Sequence, residues 1–165
     1  MRDLTANRLR EALHYNAETG VFVWRIDASI STRIGCVAGT VDGRGYIRIG
    51  IDGRVFRAHR MAWLYVYGCW PKNEIDHIDG DTSNNAISNL RDVPRRINQQ
   101  NQTAAFKNNE AGVRGVSLHK ATGKWRARIW HEGRSHALGL FDLQADASEA
   151  YVSAKRAMHE GAAHV

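Results

Sequence analysis

The chain has 165 residues, with 23 Lys and Arg against 17 Asp and Glu, a formal charge of +6. That length accommodates one medium domain or two or three small ones, and the basic surplus suits a partner carrying phosphates. Two cysteines, Cys36 and Cys69, without CxxC spacing exclude a disulfide framework and a four-cysteine zinc site.

The polar start lacks the apolar core of a secretory signal, and no apolar run approaches the ~20 residues of a membrane helix. A cytoplasmic protein without membrane association is expected. In chain order, Thr5 suits an N-cap for a helix over residues 6–15, with Leu4 and Leu9 as a hydrophobic staple. Residues 16–20 end that helix, and residues 21–24 read as a strand. The glycine-rich stretch 35–45 reads as turns, because it lacks the strand-to-helix context of a phosphate loop. Asp52-Gly53 between two apolar runs is a hairpin signal, with Arg48, Arg54 and Arg57 on or beside it. These arginines suit either a phosphate backbone or solvated, edge-protecting positions.

Residues 59–67 read as a buried helix that Gly68 ends and Pro71 keeps from resuming. His59 opens it and is expected as a hydrogen-bonded packing histidine. Pro94 starts a short helix running to residue 101. The polar, amide-rich stretch 98–110 marks a boundary, with a linker at 102–111. Beyond it, strands at 113–118, 125–130 and 135–141 precede a helix at 145–158, giving a three-stranded antiparallel sheet packed on one helix. Residues 107–140 hold seven basic residues against two acidic ones, so the positive potential belongs to the strands. Trp125, Ala127 and Ile129 alternate with Arg126, Arg128 and Trp130, so one face packs on the helix and the other offers arginines beside an exposed indole. Such a face suits contact with double-stranded DNA.

Residues 74–98 carry the chemistry: Glu74-Ile75-Asp76-His77-Ile78-Asp79-Gly80-Asp81, then Asn84-Asn85, Ser88-Asn89-Leu90-Arg91 and Ile97-Asn98. Phosphodiester hydrolysis needs an activated water and stabilisation of charge on the phosphate and leaving oxygen; an imidazole and a divalent cation supply these. Asp76 is a hard oxygen donor suited to magnesium or manganese, and His77 can accept a proton from water. On spacing alone either Asn98 or Asn101 offers the second oxygen. Adjacent strand residues point to opposite faces, so the strand is expected to end or bulge at Asp76-His77. Asp79, Asp81, Asn84 and Asn85 read as loop construction, and Asn89 as a loop-fixing amide.

In order and spacing these residues resemble the HNH nucleases, specifically phage and intron-type homing endonucleases with Asn rather than His at the last motif position. The resemblance spans residues 16–101. It implies an α+β protein with a ββα-metal core, His77 as general base, Asp76 and Asn98 holding one divalent metal, and Asn89 tethering the loop. Magnesium is the expected ion, with manganese as the alternative. The implied products are a 5′-phosphate and a 3′-hydroxyl.

Residues 112–161 resemble the plant ethylene-response-factor (Apetala-two) DNA-binding domain through Arg114-Gly115-Val116, residues 124–129, residues 138–142 and Ala150-Tyr151. That resemblance implies DNA contacts from Arg114, Arg126 and Arg128, to which the strand pattern adds Lys124 and Trp130. The expected organisation is a nuclease domain over 1–101 (extension 1–57, core 58–101), the linker, and a DNA-binding domain over 112–161. The expected function is site-specific DNA cleavage, as a monomer or a dimer. The rival is a DNA-binding regulator on an inactive nuclease fold.

Overall fold

A computed structural model describes residues 4–27, 33–102, 109 and 111–160. The protein is α+β, and its contacts divide it into two compact units, Met1–Arg95 and Arg96–Val165. Most of the expected linker, residues 103–108 and 110, lies outside the described residues.

The first unit opens with α1 (Ala6–Ala12), whose Thr5 cap accepts a hydrogen bond from the Arg8 amide at 3.2 Å. Leu4 and Leu9 are both buried in the core beneath it. The helix is shorter than the expected 6–15. Residues Leu13–Tyr15 instead form β1, antiparallel to β2 (Phe22–Trp24), with Leu13 opposite Trp24 and Tyr15 opposite Phe22. All four side chains are buried, so alternation across a ladder overrides helical propensity at this point.

A three-stranded sheet follows in the order β3 (Thr40–Val41), β4 (Ile47–Ile51), β5 (Arg54–Arg57). Asp52 and Gly53 link β4 to β5 with φ of 51° and 74°, the left-handed pair that a two-residue hairpin requires. Next comes α2 (Ala58–Tyr67), capped by Gly68, whose left-handed N–H reaches the Leu64 carbonyl at 3.0 Å. The expectation of a buried helix holds for one face. Ala58, His59, Met61, Ala62 and Leu64 are buried, while Val66 and Tyr67 are exposed.

The strands β6 (Glu74–His77) and β7 (Leu90–Val93) pair antiparallel, with Asp76 directly opposite Arg91 and His77 opposite Leu90. A 3₁₀ turn, Ile87–Asn89, leads into β7. The order β6, β7, α3 (Arg95–Asn101) is that of a ββα motif, and α3 begins one residue after Pro94.

The second unit has the sheet order β10 (Arg134–Phe141), β9 (Lys124–His131), β8 (Val116–His119), all antiparallel, with α4 (Gln144–Met158) against it. Its core is Val116, Ala127, Ile129, Ala147 and Tyr151, with Trp125, Leu138 and Phe141 packed around it. The expected alternation along the middle strand is present: Ala127 and Ile129 are buried while Arg128 and Trp130 are exposed.

Candidate active site

Loop chemistry after β6 determines where the Asp76-His77 pair lies. The strand ends at His77, and the amide of Gly80 turns back to the His77 carbonyl at 3.0 Å. The strand thus ends at the Asp76-His77 pair, with no bulge between the two residues. Both are almost wholly buried, at 5% and 4% exposure.

Asn89 ties the loop together. Its Oδ1 accepts from the Asp79 amide at 3.0 Å, and its Nδ2 donates to Asp79 Oδ1 and to the Asn84 carbonyl, both at 2.9 Å. Asn84 Nδ2 donates to the other Asp79 oxygen at 2.7 Å. Burial alone would push the Asp79 carboxyl up, but the hydrogen bonds from Asn84, Asn89 and the Asp81 amide hold it below its usual range. Asp81 accepts from the amide and hydroxyl of Ser83 at 2.9 and 2.7 Å. The carboxylates of this loop are thus engaged in building it.

Asp76 meets a partner that the sequence reading assigned no role. Arg91 donates from both Nε, at 2.8 Å, and Nη2, at 2.7 Å, to Asp76 Oδ2. The pair is formed by strand register, and register is what a sequence does not display across a loop of this length.

His77 sits in an aromatic and amide pocket. The His59 ring meets it edge-on at 5.0 Å, the Tyr46 ring lies 5.9 Å away, and Asn85 Oδ1 is 3.3 Å from Nε2. Arg57 stacks over the Tyr46 ring, 4.1 Å from its centre. Burial holds the His77 imidazole below its usual range, against opposing pulls from the Asn85 hydrogen bond and from Asp79, Asp76 and Asp81. Burial also pushes His59 down to about 3, with His77, Arg57 and Arg60 adding to the effect. His59 was expected to be a hydrogen-bonded packing residue. It is a packing residue, yet its buried Nδ1 has no hydrogen-bond partner among the described residues.

The β1–β2 hairpin closes the other side of the site loop. Tyr15 donates its hydroxyl proton to the Asn85 carbonyl at 2.7 Å, and the Ile87 amide donates to the Ala17 carbonyl at 3.0 Å. A Cβ at Gly20 would overlap the backbone of Asn85 and Ala86, so only glycine allows this approach. Burial pushes the Tyr15 hydroxyl up to about 12, with Tyr67 adding to it, so it remains a proton donor.

The Asp76 carboxylate is a hard oxygen donor of the kind that suits a divalent cation. Arg91 donates to its Oδ2 from Nε and Nη2. Among the described residues no three His, Cys, Asp or Glu side chains group as a closed metal cage. A cation held by one such carboxylate would take its remaining oxygens from elsewhere, as an open site does from water and phosphate. Asn98 is half-buried and Asn101 buried, both on α3 in the second unit.

In the second unit, Trp130 is 66% exposed and Arg128 points outward from the same strand. Arg126 is half-buried, and its Nε has no hydrogen-bond partner among the described residues. Arg114 precedes β8, where Nη1 lies 3.4 Å from Gln102 Oε1. Lys124 is paired with Asp142 at 3.0 Å. Arg114, Arg128 and Trp130 border a cleft of about 430 Å³ that is also lined by Arg96, Tyr151 and His159.

The HNH endonuclease family model matches residues 56–100. Protein 3.8 of Escherichia phage T7 is 36% identical over 88 residues, covering 53% of this chain and 72% of that protein. The DNA endonuclease I-HmuI of Bacillus phage SP01 is 38% identical over 63 residues, which is 35% of this chain and 36% of the endonuclease. A solved structure titled as DNA binding and cleavage by the HNH homing endonuclease I-HmuI aligns with a TM-score of 0.48 at 20% identity, covering 98% of this chain and 95% of that one. Residues 56–100 are thus an HNH endonuclease family domain.

Proposed function

We propose that this protein is a site-specific DNA endonuclease of the homing type, hydrolysing phosphodiester bonds with His77 as general base. The observation that carries the reading is the buried Asp76-His77 pair at the end of β6, closed over by a loop that Asn89 ties to itself. His77, neutral at physiological pH because burial opposes its protonation, takes the proton from the attacking water. Asp76, its orientation fixed by Arg91, provides an oxygen for one divalent ion, magnesium or in its place manganese. Asn98 as the second oxygen donor stands on the sequence resemblance. When bound, the cation offsets negative charge on the phosphate and leaving oxygen. Asn89 acts by holding the loop.

In the second unit, Arg114, Arg126, Arg128, Lys124 and Trp130 hold double-stranded DNA. Support comes from the outward Arg128 and Trp130 on a sheet backed by α4, and from the resemblance of residues 112–161 to the ethylene-response-factor domain. The substrate places the protein in the cytoplasm of the cell containing that DNA. Among the described residues no helix is long and apolar enough to cross a membrane.

Conversion of supercoiled plasmid carrying a cognate site to open circle or linear form, with magnesium, tests the reading. His77→Ala is expected to abolish conversion while leaving DNA binding unchanged. Full cleavage by that variant would remove His77 from the chemistry. No cleavage by the unaltered protein with magnesium or manganese would leave a DNA-binding regulator on an inactive nuclease fold.

A further inference from the structure

The cleft of the second unit lies along a strand edge that its own sheet leaves uncovered. β8 pairs with β9 only from Val116 opposite Ala127 to His119 opposite Lys124. Residues 128–131 of β9 therefore have β10 on one side and, among the described residues, no strand on the other. Other segments flank that opening: Arg96 from α3, Arg114 from the stretch before β8, Tyr151 from α4 and His159 from its end. His159 Nε2 lies 2.9 Å from the Trp130 carbonyl and ties the end of α4 to the open edge. A concavity of about 430 Å³ is of the size that takes a small molecule, whereas a base-paired duplex offers a sheet only its grooves and backbone.

The charge of the cleft is one-sided. Arg96, Arg114 and Arg128 line it together with a single carboxylate, Glu132, which lies 3.9 Å from His131. Arg96 also meets Glu160 at 3.5 Å on the exposed surface. One helical turn before His159, Lys155 is 1% exposed, and its Nζ donates to the Gln102 carbonyl at 3.0 Å. Among the described residues no carboxylate pairs with it. Burial holds its ammonium below the usual range, and the neighbouring Arg114 cation adds to the effect. A buried cation without a counter-charge is costly.

We propose that this cleft takes a single nucleotide out of the base stack, its phosphate among Arg96, Arg114 and Arg128 and its base against the Trp130 indole. The proposal rests on the reading of the second unit as a DNA-binding module, and names the part of the DNA that the module takes in. Guanidinium groups suit a phosphate, and an exposed indole gives a base the stacking surface it loses on leaving its neighbours. The phosphate also supplies the negative charge that Lys155 and Arg114 lack between them. Arg128 and Trp130 lie on the same strand that faces outward, so a nucleotide turned out of a duplex on the sheet reaches the cleft without leaving these residues. Such a nucleotide leaves the stack at least cost where it is unpaired.

The test uses the full-length, metal-free protein and three short duplexes of one sequence, read by fluorescence anisotropy. One is fully paired, one carries a single unpaired nucleotide, and one carries an abasic residue in that nucleotide's place. The unpaired nucleotide is expected to tighten binding about 10-fold over both other duplexes. Arg96→Ala, at an exposed side chain, should weaken the duplex with the unpaired nucleotide more than the paired one. Equal affinity for all three duplexes, an abasic residue that binds as well as the nucleotide, or an advantage undiminished in Arg96→Ala overturns the proposal. Duplex binding without preference loses only this inference. If no duplex binds, the DNA-binding reading is lost and deoxyadenosine 5′-monophosphate decides the cleft. A shift of the Trp130 indole N–H signal that Arg96→Ala weakens upholds a nucleotide site, and an unmoved signal removes it.

Discussion

Asp76 and Arg91 face each other across the β6–β7 ladder, and both Nε and Nη2 of the arginine converge on one carboxylate oxygen of the aspartate. The arginine neutralises a carboxylate that is 5% exposed, a charge that would otherwise be costly to bury. It also fixes the direction in which that carboxylate faces.

Arg91→Ala removes the cation and both charge-assisted donors. Stability of the metal-free protein is expected to fall by about 1.5–3 kcal/mol, measured by urea unfolding at neutral pH. Arg91→Lys, which keeps the charge but not the paired geometry, should lose less. Magnesium should restore more stability to Arg91→Ala than it adds to the unaltered protein if Asp76 is its ligand.

Acid should destabilise the protein through the buried histidines. His59 titrates near 3 in the folded state and near its ordinary value in the unfolded one. Between those values the unfolded chain binds the extra proton, so stability is complete above about pH 6.5 and declines as pH falls toward 3. The slope is about 1.4 kcal/mol per pH unit for each such histidine, and the lowered His77 adds in the same direction. The groups facing His59 are His77, Tyr46, Arg57 and Arg60. Urea unfolding at pH 5.0 and 7.5 should show the decline, and His59→Gln should flatten it.

Asn89→Ala leaves the Asp79 amide and the Asn84 carbonyl without their partner. A cost of about 1–3 kcal/mol is expected, concentrated in residues 78–89. Hydrogen exchange should show loss of protection at the Asp79 amide well beyond that at α1. The Asp79 carboxyl should move back up, having lost one of the hydrogen bonds that hold it down.

Arg128 and Trp130 should separate in their salt dependence. Arg128→Ala is expected to weaken duplex binding and reduce the slope of log affinity against log salt by about 0.9, the loss of one phosphate contact. Trp130→Ala should weaken binding at every salt concentration without changing the slope. Fluorescence anisotropy with a short duplex at several salt concentrations distinguishes them, and identical slopes for both variants would remove the phosphate contact from Arg128.

Features whose partners lie a few residues apart were legible in the sequence. Thr5 caps α1, Asp52-Gly53 turns a hairpin, Gly68 ends α2, and Asp79 and Asp81 build the loop that follows Asp76-His77. The period-two pattern likewise assigned the buried and exposed faces of β9 over residues 127–130, though Arg126 is half-buried. In each case local stereochemistry or local hydrogen bonding decides the outcome, and the residue type carries that information.

Tertiary structure decided what depends on distant partners. Leu13–Tyr15 became a strand because Phe22 and Trp24 were there to pair with it. Arg91 reached Asp76 because the β6–β7 register set them opposite each other. Asn85, whose neighbours in sequence suggest only a loop, was turned toward His77 under a hairpin that joins it through Tyr15. Sequence determined which chemical groups this site would contain. Register and packing, which arise only when segments tens of residues apart are buried against one another, determined which atoms those groups present.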